Sequence, residues 1–409
     1  MKHAKRNLRR LGTVSGGLLV GLLASAPALA GGLVVGALMP MTGGLQAYGV
    51  TSLNGVRMAV DEANRSGGVL GGKVILKVGD TQTKSQVAID AAKKLISIEG
   101  ANVLVGALSS GNTVPVGKTV SGPGKVPQIS SASTAPSITT LEDHDFLFRT
   151  TPSDAFQGVA LAQVVIGKGV KKVAQIYINN DYGVGIAESF KKAFEARGGT
   201  ITGEAAYEPD KASYRGELSK LSKGGAEALV VMAFPDNGGT LIIKQSLEEG
   251  LFDKFIFTDG MKAPEIIKQI GAQYLNGAYG TAPEAMGTRS QAAFKKAYEA
   301  KFGELPPKPF IDTAYDATMI LMLAADKAGS SDGTRIRDAL RFVANPPGVK
   351  VSVGDFAKAK ALLAKGEDID YVGAAGNEDF DAHGDVKGTF GHWEIKNGKI
   401  VTVKVFEPK

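Results

Sequence analysis

The hydrophobic pattern along the chain switches repeatedly between two periods. "LVVGALM" (33–39) is a short apolar run that predicts a buried strand. Beyond it, Val56, Ala59, Val60 and Ala63 recur at i, i+3, i+4 and i+7, one face of a helix that Gly67-Gly68 stops. "KVILKVGD" predicts a second strand. Ala88, Ala91, Ala92 and Leu95 mark a second helix, and "ANVLVGA" a third strand. "GKVPQISSAST" is a strand that runs into small hydroxyls, as does "VLVGALSSGNT".

After "FRTTPSDAFQG" the alternation restarts. A helix over 154–168 leads to the strand "KKVAQIYIN", a helix over 185–197 and the strand "TITGEAAY". A helix over 214–223, the strand "EALVVMAF", a helix over 239–249 and the short strand "KFIFTDG" follow. The stretch 290–345 reads as helical, and "GHWEIKNGKIVTVKVF" as a hairpin turning at Asn397-Gly398. Two successive βαβα runs predict an α/β protein with two parallel-sheet lobes.

Composition supports a packed core: 44% of the 409 residues are hydrophobic and 22% charged. The N-terminus predicts a processing segment. Lys2, Lys5, Arg6, Arg9 and Arg10 precede an apolar, charge-free run ending in Ala28-Leu29-Ala30, which predicts a signal peptide over 1–30 and a periplasmic protein. Arg9-Arg10 leaves Sec and twin-arginine export both open. Those five cations, with no acid among them, carry most of the formal net charge of +6, so the remaining chain is close to neutral and nothing points to nucleic acid. The chain has no cysteine, which excludes disulfides, thiolate chemistry and a lipid-anchored N-terminal cysteine.

Ligands of open α/β sheets bind beyond the carboxyl ends of the strands. Those ends hold Tyr48, Ser109 and Ser110, the run Ser130 to Thr134, Tyr182, Phe234 and Asp259. A serine where a helix begins either caps it or offers its hydroxyl and the free N–H groups to a carboxylate. Thr134 has the same ambiguity. Asp259 at a strand mouth either caps a turn or holds an ammonium group. Tyr48, Tyr182 and Phe234 either line an apolar pocket or cover a lobe edge.

Other chemistries lack a complete motif. "YGVGIAE" places Gly183 and Gly185 between a strand and a helix, but Glu188 stands where a dinucleotide fingerprint needs its third glycine. His3, His144, His383 and His392 show no metal-ligand spacing. "GALSSG" is not a nucleophile elbow. "NEDFDAHGD" (377–385) lacks calcium-loop spacing and reads as a turn with a solvated charge run. No cofactor, no metal and no catalytic set are expected.

The chain from Leu33 onward resembles the periplasmic substrate-binding proteins of branched-chain amino-acid ABC transporters. The resemblance rests on "MPMTGGLQAYG", "NGVRMAVDEANRSGGVLGGKV", "LVGALSSGNT", "ISSASTAP", "FRTTPSDAFQG", "INNDYGVG", "FTDG" and "YVGAAGNEDFDAHGDVKG". It implies two Rossmann-like lobes joined by a hinge of three crossovers, near Arg149 to Pro152, near Gly280 to Pro283 and within 384–392. The lobes would comprise 31–151 plus 283–385 and 152–282 plus 386–409.

It further implies an amino-acid ligand whose carboxylate meets Ser110 and Thr134, flanked by Ser109 and Ser133. The carbonyl of Ala132 and the acid Asp259 would take the ammonium. Tyr182 would close from the second lobe, with Tyr48 and Phe234 bordering the side-chain pocket. Asp259 is one carbon shorter than the glutamate of leucine-type members, and Phe234-Pro235 stands where tyrosine is often found; the first moves the ammonium contact and the second alters the wall. The implied partner is an inner-membrane ABC permease, the implied state a monomer. An amide, urea-like or aromatic-acid solute, and a periplasmic α/β enzyme, stand as alternatives.

Overall fold

The structure is a computed structural model and describes residues 32–409; the segment read as a signal peptide lies outside the described residues. The first βαβα run builds a sheet from β1 (Val34–Met39), β2 (Ile75–Asp80), β3 (Val103–Gly106), β4 (Gln128–Ser130) and β5 (Leu147–Arg149). Its order is β2-β1-β3-β4-β5, and every neighbour pair is parallel. The second run supplies β6 (Lys172–Ile178), β7 (Thr200–Tyr207), β8 (Ala228–Met232), β9 (Phe255–Phe257) and β10 (Tyr279–Pro283). A separate parallel pair, β11 (Val349–Ser352) and β12 (Ile369–Val372), precedes the tail strands β13 (Phe390–Lys396) and β14 (Lys399–Phe406).

The second sheet runs β14-β13-β10-β9-β8-β6-β7. Its five strands from β6 to β10 are parallel, whereas β13 and β14 add antiparallel strands at one edge. The tail folds as a hairpin because Asn397 and Gly398 both take positive φ, 51° and 73°, the backbone a two-residue turn of this hand requires.

The chain crosses between the sheets after β5, after β10 and before β13. The helical stretch 290–345 is three helices, Arg289–Phe302, Ile311–Ala328 and Gly333–Ala344. The first break contains Pro306, Pro307 and Pro309, none of which can continue a helix, and the second contains Gly329 in the left-handed region. Ile311–Ala328 packs against Gln46–Arg65, β3 and β4 and is covered by Gly333–Ala344 and Phe356–Ala364. Its sequence is apolar on nearly every face, as burial on all sides demands.

Helix Asp154–Gly167 packs instead on β10 and β13 and opens the second unit. The helix expected to begin at 185 begins at Asp181, because the Asn180 carboxamide caps it by accepting from the amide of Gly183 at 3.0 Å. Strands β10 to β12 and helix Phe356–Ala364 carry too few periodic residues to be read from sequence.

The run 377–385 is only partly the solvated turn expected. Glu378 and Asp385 are buried. Asp385 receives Arg149, whose side chain is fully buried, through a two-point ion pair: Nε to Oδ1 and Nη2 to Oδ2, both 2.7 Å. Nη1 of Arg149 also donates to the carbonyl of Ala135 at 2.9 Å. The end of β5, the turn after β4 and the third crossover are thereby fastened together.

Candidate functional site

Strands β3 and β4 end side by side, and their following turns form one wall of a cavity. Ser109 precedes the helical turn Ser110–Val116, and the hydroxyl of Ser110 accepts the amide of Ala135 at 3.2 Å. That bond uses a lone pair of the oxygen and leaves the hydroxyl proton for a ligand acceptor. The first N–H groups of the turn have no partner within it.

The neighbouring hydroxyls have structural employment. Ser133 Oγ lies 2.7 Å from Thr113 Oγ1 and 3.0 Å from the carbonyl of Leu108, tying the two turns together. Thr134 donates to Asp154 Oδ2 at 2.8 Å, and the Asp154 amide donates to the Thr134 carbonyl at 2.7 Å.

The opposite wall comes from the second sheet. Asp259 follows β9 and is 3% exposed. Its Oδ1 accepts from Gln157 Nε2 at 2.9 Å and from the Tyr182 hydroxyl at 3.0 Å. Tyr182 lies 2.7 Å from Thr258 Oγ1 and stacks on Phe234 with ring centroids 5.2 Å apart. Burial raises the Asp259 carboxyl to about 6, opposed by the hydrogen bonds from Tyr182 and Gln157. Asp154, also buried, is pushed well up by its own desolvation and by the charge of Asp259.

Leu45, Tyr48, Leu108, Ser109, Ser110, Ala132, Tyr182, Phe234, Asp259, Gly260 and Phe310 line the cavity between these walls. The structure thus gathers Tyr48, Ser109, Ser110, Ala132, Tyr182, Phe234 and Asp259 in one place. Ser133 and Thr134 stand behind the lining, because their hydroxyls are spent on Thr113, Leu108 and Asp154.

Sequence reasoning missed Leu45, Leu108, Gly260 and Phe310 among the lining residues, and Asp154 and Gln157 behind it. The last two sit in the "PSDAFQG" motif at the start of a helix, which was a usable signal. Phe310 had none: it enters the cavity because its backbone turns left-handed, φ 75°, at the head of helix Ile311–Ala328.

The glycines of "YGVG" serve packing. A Cβ on Gly183 would fall 1.9 Å from the carbonyl of Ile178, and one on Gly185 would fall 2.6 Å from Pro136 of the facing unit. Among the described residues no group of three or more His, Cys, Asp or Glu is arranged to hold a metal ion, and no helix is long and apolar enough to cross a membrane.

Two α/β units whose strand ends meet over a small polar and aromatic cavity define a two-lobed solute-binding plan. The profile of the periplasmic binding protein family matches residues 32–363, and the chain belongs to that family. The Leu/Ile/Val-binding protein homolog 3 of Brucella melitensis is 28% identical over 329 residues, 80% of this chain and 86% of its own.

Solved structures agree. A leucine-binding protein LivK from Thermotoga maritima superposes with a TM-score of 0.78 at 25% identity, covering 92% of this chain and 99% of its own. The branched-chain amino acid transporter substrate-binding protein LivJ of Streptococcus pneumoniae, in complex with isoleucine, gives 0.77 at 25% identity, covering 92% and 100%.

Proposed function

We propose that this chain is a periplasmic receptor that captures a neutral amino acid, branched-chain in the first instance, between two closing lobes and presents it to an inner-membrane ABC permease. The lobes are 31–151 plus 283–385 and 152–282 plus 386–409, and the receptor acts as a monomer after loss of the signal peptide. Binding and release leave the ligand chemically unchanged. Ser110 donates to the α-carboxylate common to amino acids, helped by the free N–H groups at the helix start. The Ala132 carbonyl and Asp259 take the ammonium. Leu45, Leu108, Phe234 and Phe310 supply the apolar wall for the side chain. A ligand touching both walls binds the closed form better and shifts the population toward it.

One observation carries this reading. Asp259 is a buried carboxylate with no Lys or Arg paired to it among the described residues, opposite a serine whose proton is free. A site of that polarity fits a zwitterion. It disfavours a plain aromatic acid, whose carboxylate has no positive group to offer Asp259.

Calorimetric titration of the chain from residue 31 tests it, with leucine, isoleucine and valine set against 4-methylpentanoate, which lacks only the ammonium of leucine. Truncating one member of a buried charge pair costs about 2–5 kcal/mol, so the deaminated acid should bind roughly 30-fold more weakly or worse. Equal or tighter binding of that acid, or of benzoate, would overturn the proposal.

A further inference from the structure

The cleft carries an ion pair whose two residues lie outside the cavity lining. Lys308 lies in "LPPKPF", between the helices Arg289–Phe302 and Ile311–Ala328. Its Nζ donates to the carbonyl of Ala47 at 3.0 Å and to Glu265 Oε1 at 2.6 Å. Ala47 lies in the first turn of helix Gln46–Arg65, on the same unit as Lys308. Glu265 lies in the first turn of helix Pro264–Ile270, on the facing unit and six residues past Asp259. The Lys308 side chain is only 6% exposed and that of Glu265 31%. The ammonium also sits 5.9 Å from the centre of the Tyr48 ring.

We propose that Lys308 and Glu265 form a latch that holds the lobes shut and so sets ligand affinity and residence time without touching the ligand. Three features support it. Lys308 has one bond to its own lobe and one across the cleft, so opening removes only the second. The flanking Pro307 and Pro309 stiffen the backbone that presents it, which lowers the entropy lost when the pair forms. Glu265 follows the Asp259 turn closely, so the grip on the ligand and the grip of the latch move as one body. Close packing nearby agrees: a Cβ on Gly44 would fall 1.6 Å from Asn237 Oδ1 across the same cleft edge.

The latch rests on the closing-lobe reading above, and its test is separable from the identity of the ligand. The chain has no cysteine, so Lys93→Cys and Lys220→Cys, both exposed and on opposite lobes, accept a fluorophore pair cleanly. In that background the ligand-free distance distributions of wild type, Glu265→Gln and Lys308→Met are compared. Both variants should lose closed population by about tenfold, the scale of one hydrogen bond to a charged group.

Stopped-flow with isoleucine should show dissociation accelerated by a similar factor. Association, the rank order of amino acids and the ligand-free melting temperature should all be nearly unchanged. The reversed pair, Lys308→Glu with Glu265→Lys, should recover part of the loss. Distributions and dissociation rates equal to wild type in both single variants would overturn the latch, as would a loss of ligand-free stability matching the loss of affinity. If isoleucine closes no version of the protein, the ligand reading fails, and the ligand-free distributions alone decide the latch.

Discussion

The Tyr48 hydroxyl donates to the carbonyl of Gly260 at 2.9 Å, a bond that joins the first helix of one lobe to the turn after β9 of the other. Tyr48 is 2% exposed, and Asp259 stands one residue from its partner. The phenol therefore closes the cavity beside Asp259.

Tyr48→Phe keeps the ring and removes that bond, leaving the Gly260 carbonyl without it in the closed state. The expected cost is about 1–2 kcal/mol, a roughly 5- to 30-fold loss of affinity. In the open form the carbonyl can meet water, so the melting temperature without ligand should hardly move. Calorimetry and a thermal scan read the two quantities. A large ligand-free destabilisation with unchanged affinity would assign the bond to the fold instead.

Asp259→Asn preserves shape and removes the charge. Amino-acid affinity should fall roughly 30-fold or more. The loss should be much smaller for a deaminated acid of the same shape, because that ligand gains nothing from the carboxylate. Equal losses for both would show that Asp259 shapes the cavity without pairing with an ammonium.

The same carboxyl sets a pH dependence. Burial holds it near 6 without ligand, and a bound ammonium favours its ionised form. Binding should therefore release a proton near pH 6. Affinity should be steady above that value and weaken by up to about tenfold per pH unit below it. Titrations in buffers of different ionisation enthalpy count the proton, and a flat profile between pH 5 and 7 would remove Asp259 from the ligand's charge balance.

Stability should show the opposite trend with pH near the third crossover. Asp316 accepts from Tyr371 and from the amides of Ala374 and Ala375, each at 2.8 Å. Burial raises it to about 7, with Asp312 adding like charge. Glu378, buried against it, is pushed well up by desolvation and by the charges of Asp316, Asp312 and Asp379. The folded chain thus keeps protons that the unfolded chain releases near pH 4. The Asp316 contribution is fully present below that pH and is lost as pH rises through about 7, and that of Glu378 is likewise lost as pH rises. Glu378→Gln should flatten the fall in urea-unfolding free energy with rising pH, and an unchanged slope would mean that Glu378 holds its proton no more tightly in the folded chain than in the unfolded one.

Arg149→Met leaves Asp385 buried without its partner and frees the Ala135 carbonyl. Breaking a buried pair in this way costs about 3–5 kcal/mol. Arg149→Lys should recover little, since an ammonium cannot make the two-point contact. Chemical unfolding measures both.

Much of this was written locally. Period and spacing located both βαβα runs, and the small residues after β3 and β4 marked the turns that form one wall of the cavity. The Asn397-Gly398 hairpin was legible because two consecutive left-handed residues have a strong chemical signature. Asp259 was legible as an acid at a strand mouth, though its turn-capping alternative was equally local.

What the chain alone could not reveal is which hydroxyls are free. Ser110, Ser133 and Thr134 look alike in sequence, and only their neighbours separate them. Ser133 is consumed by Thr113 and Leu108, and Thr134 by Asp154, whereas Ser110 keeps its proton. Phe310, the Arg149–Asp385 tie and the Lys308–Glu265 bridge join positions from 43 to 236 residues apart or arise from a single unusual φ. Periodicity and turn chemistry act over a few residues, so the sequence by itself determined the elements and their polar ends. Burial, charge pairing and hydrogen-bond satisfaction are set by whatever the folded chain brings alongside, and the tertiary structure alone decided which of those polar ends are left to grip a ligand.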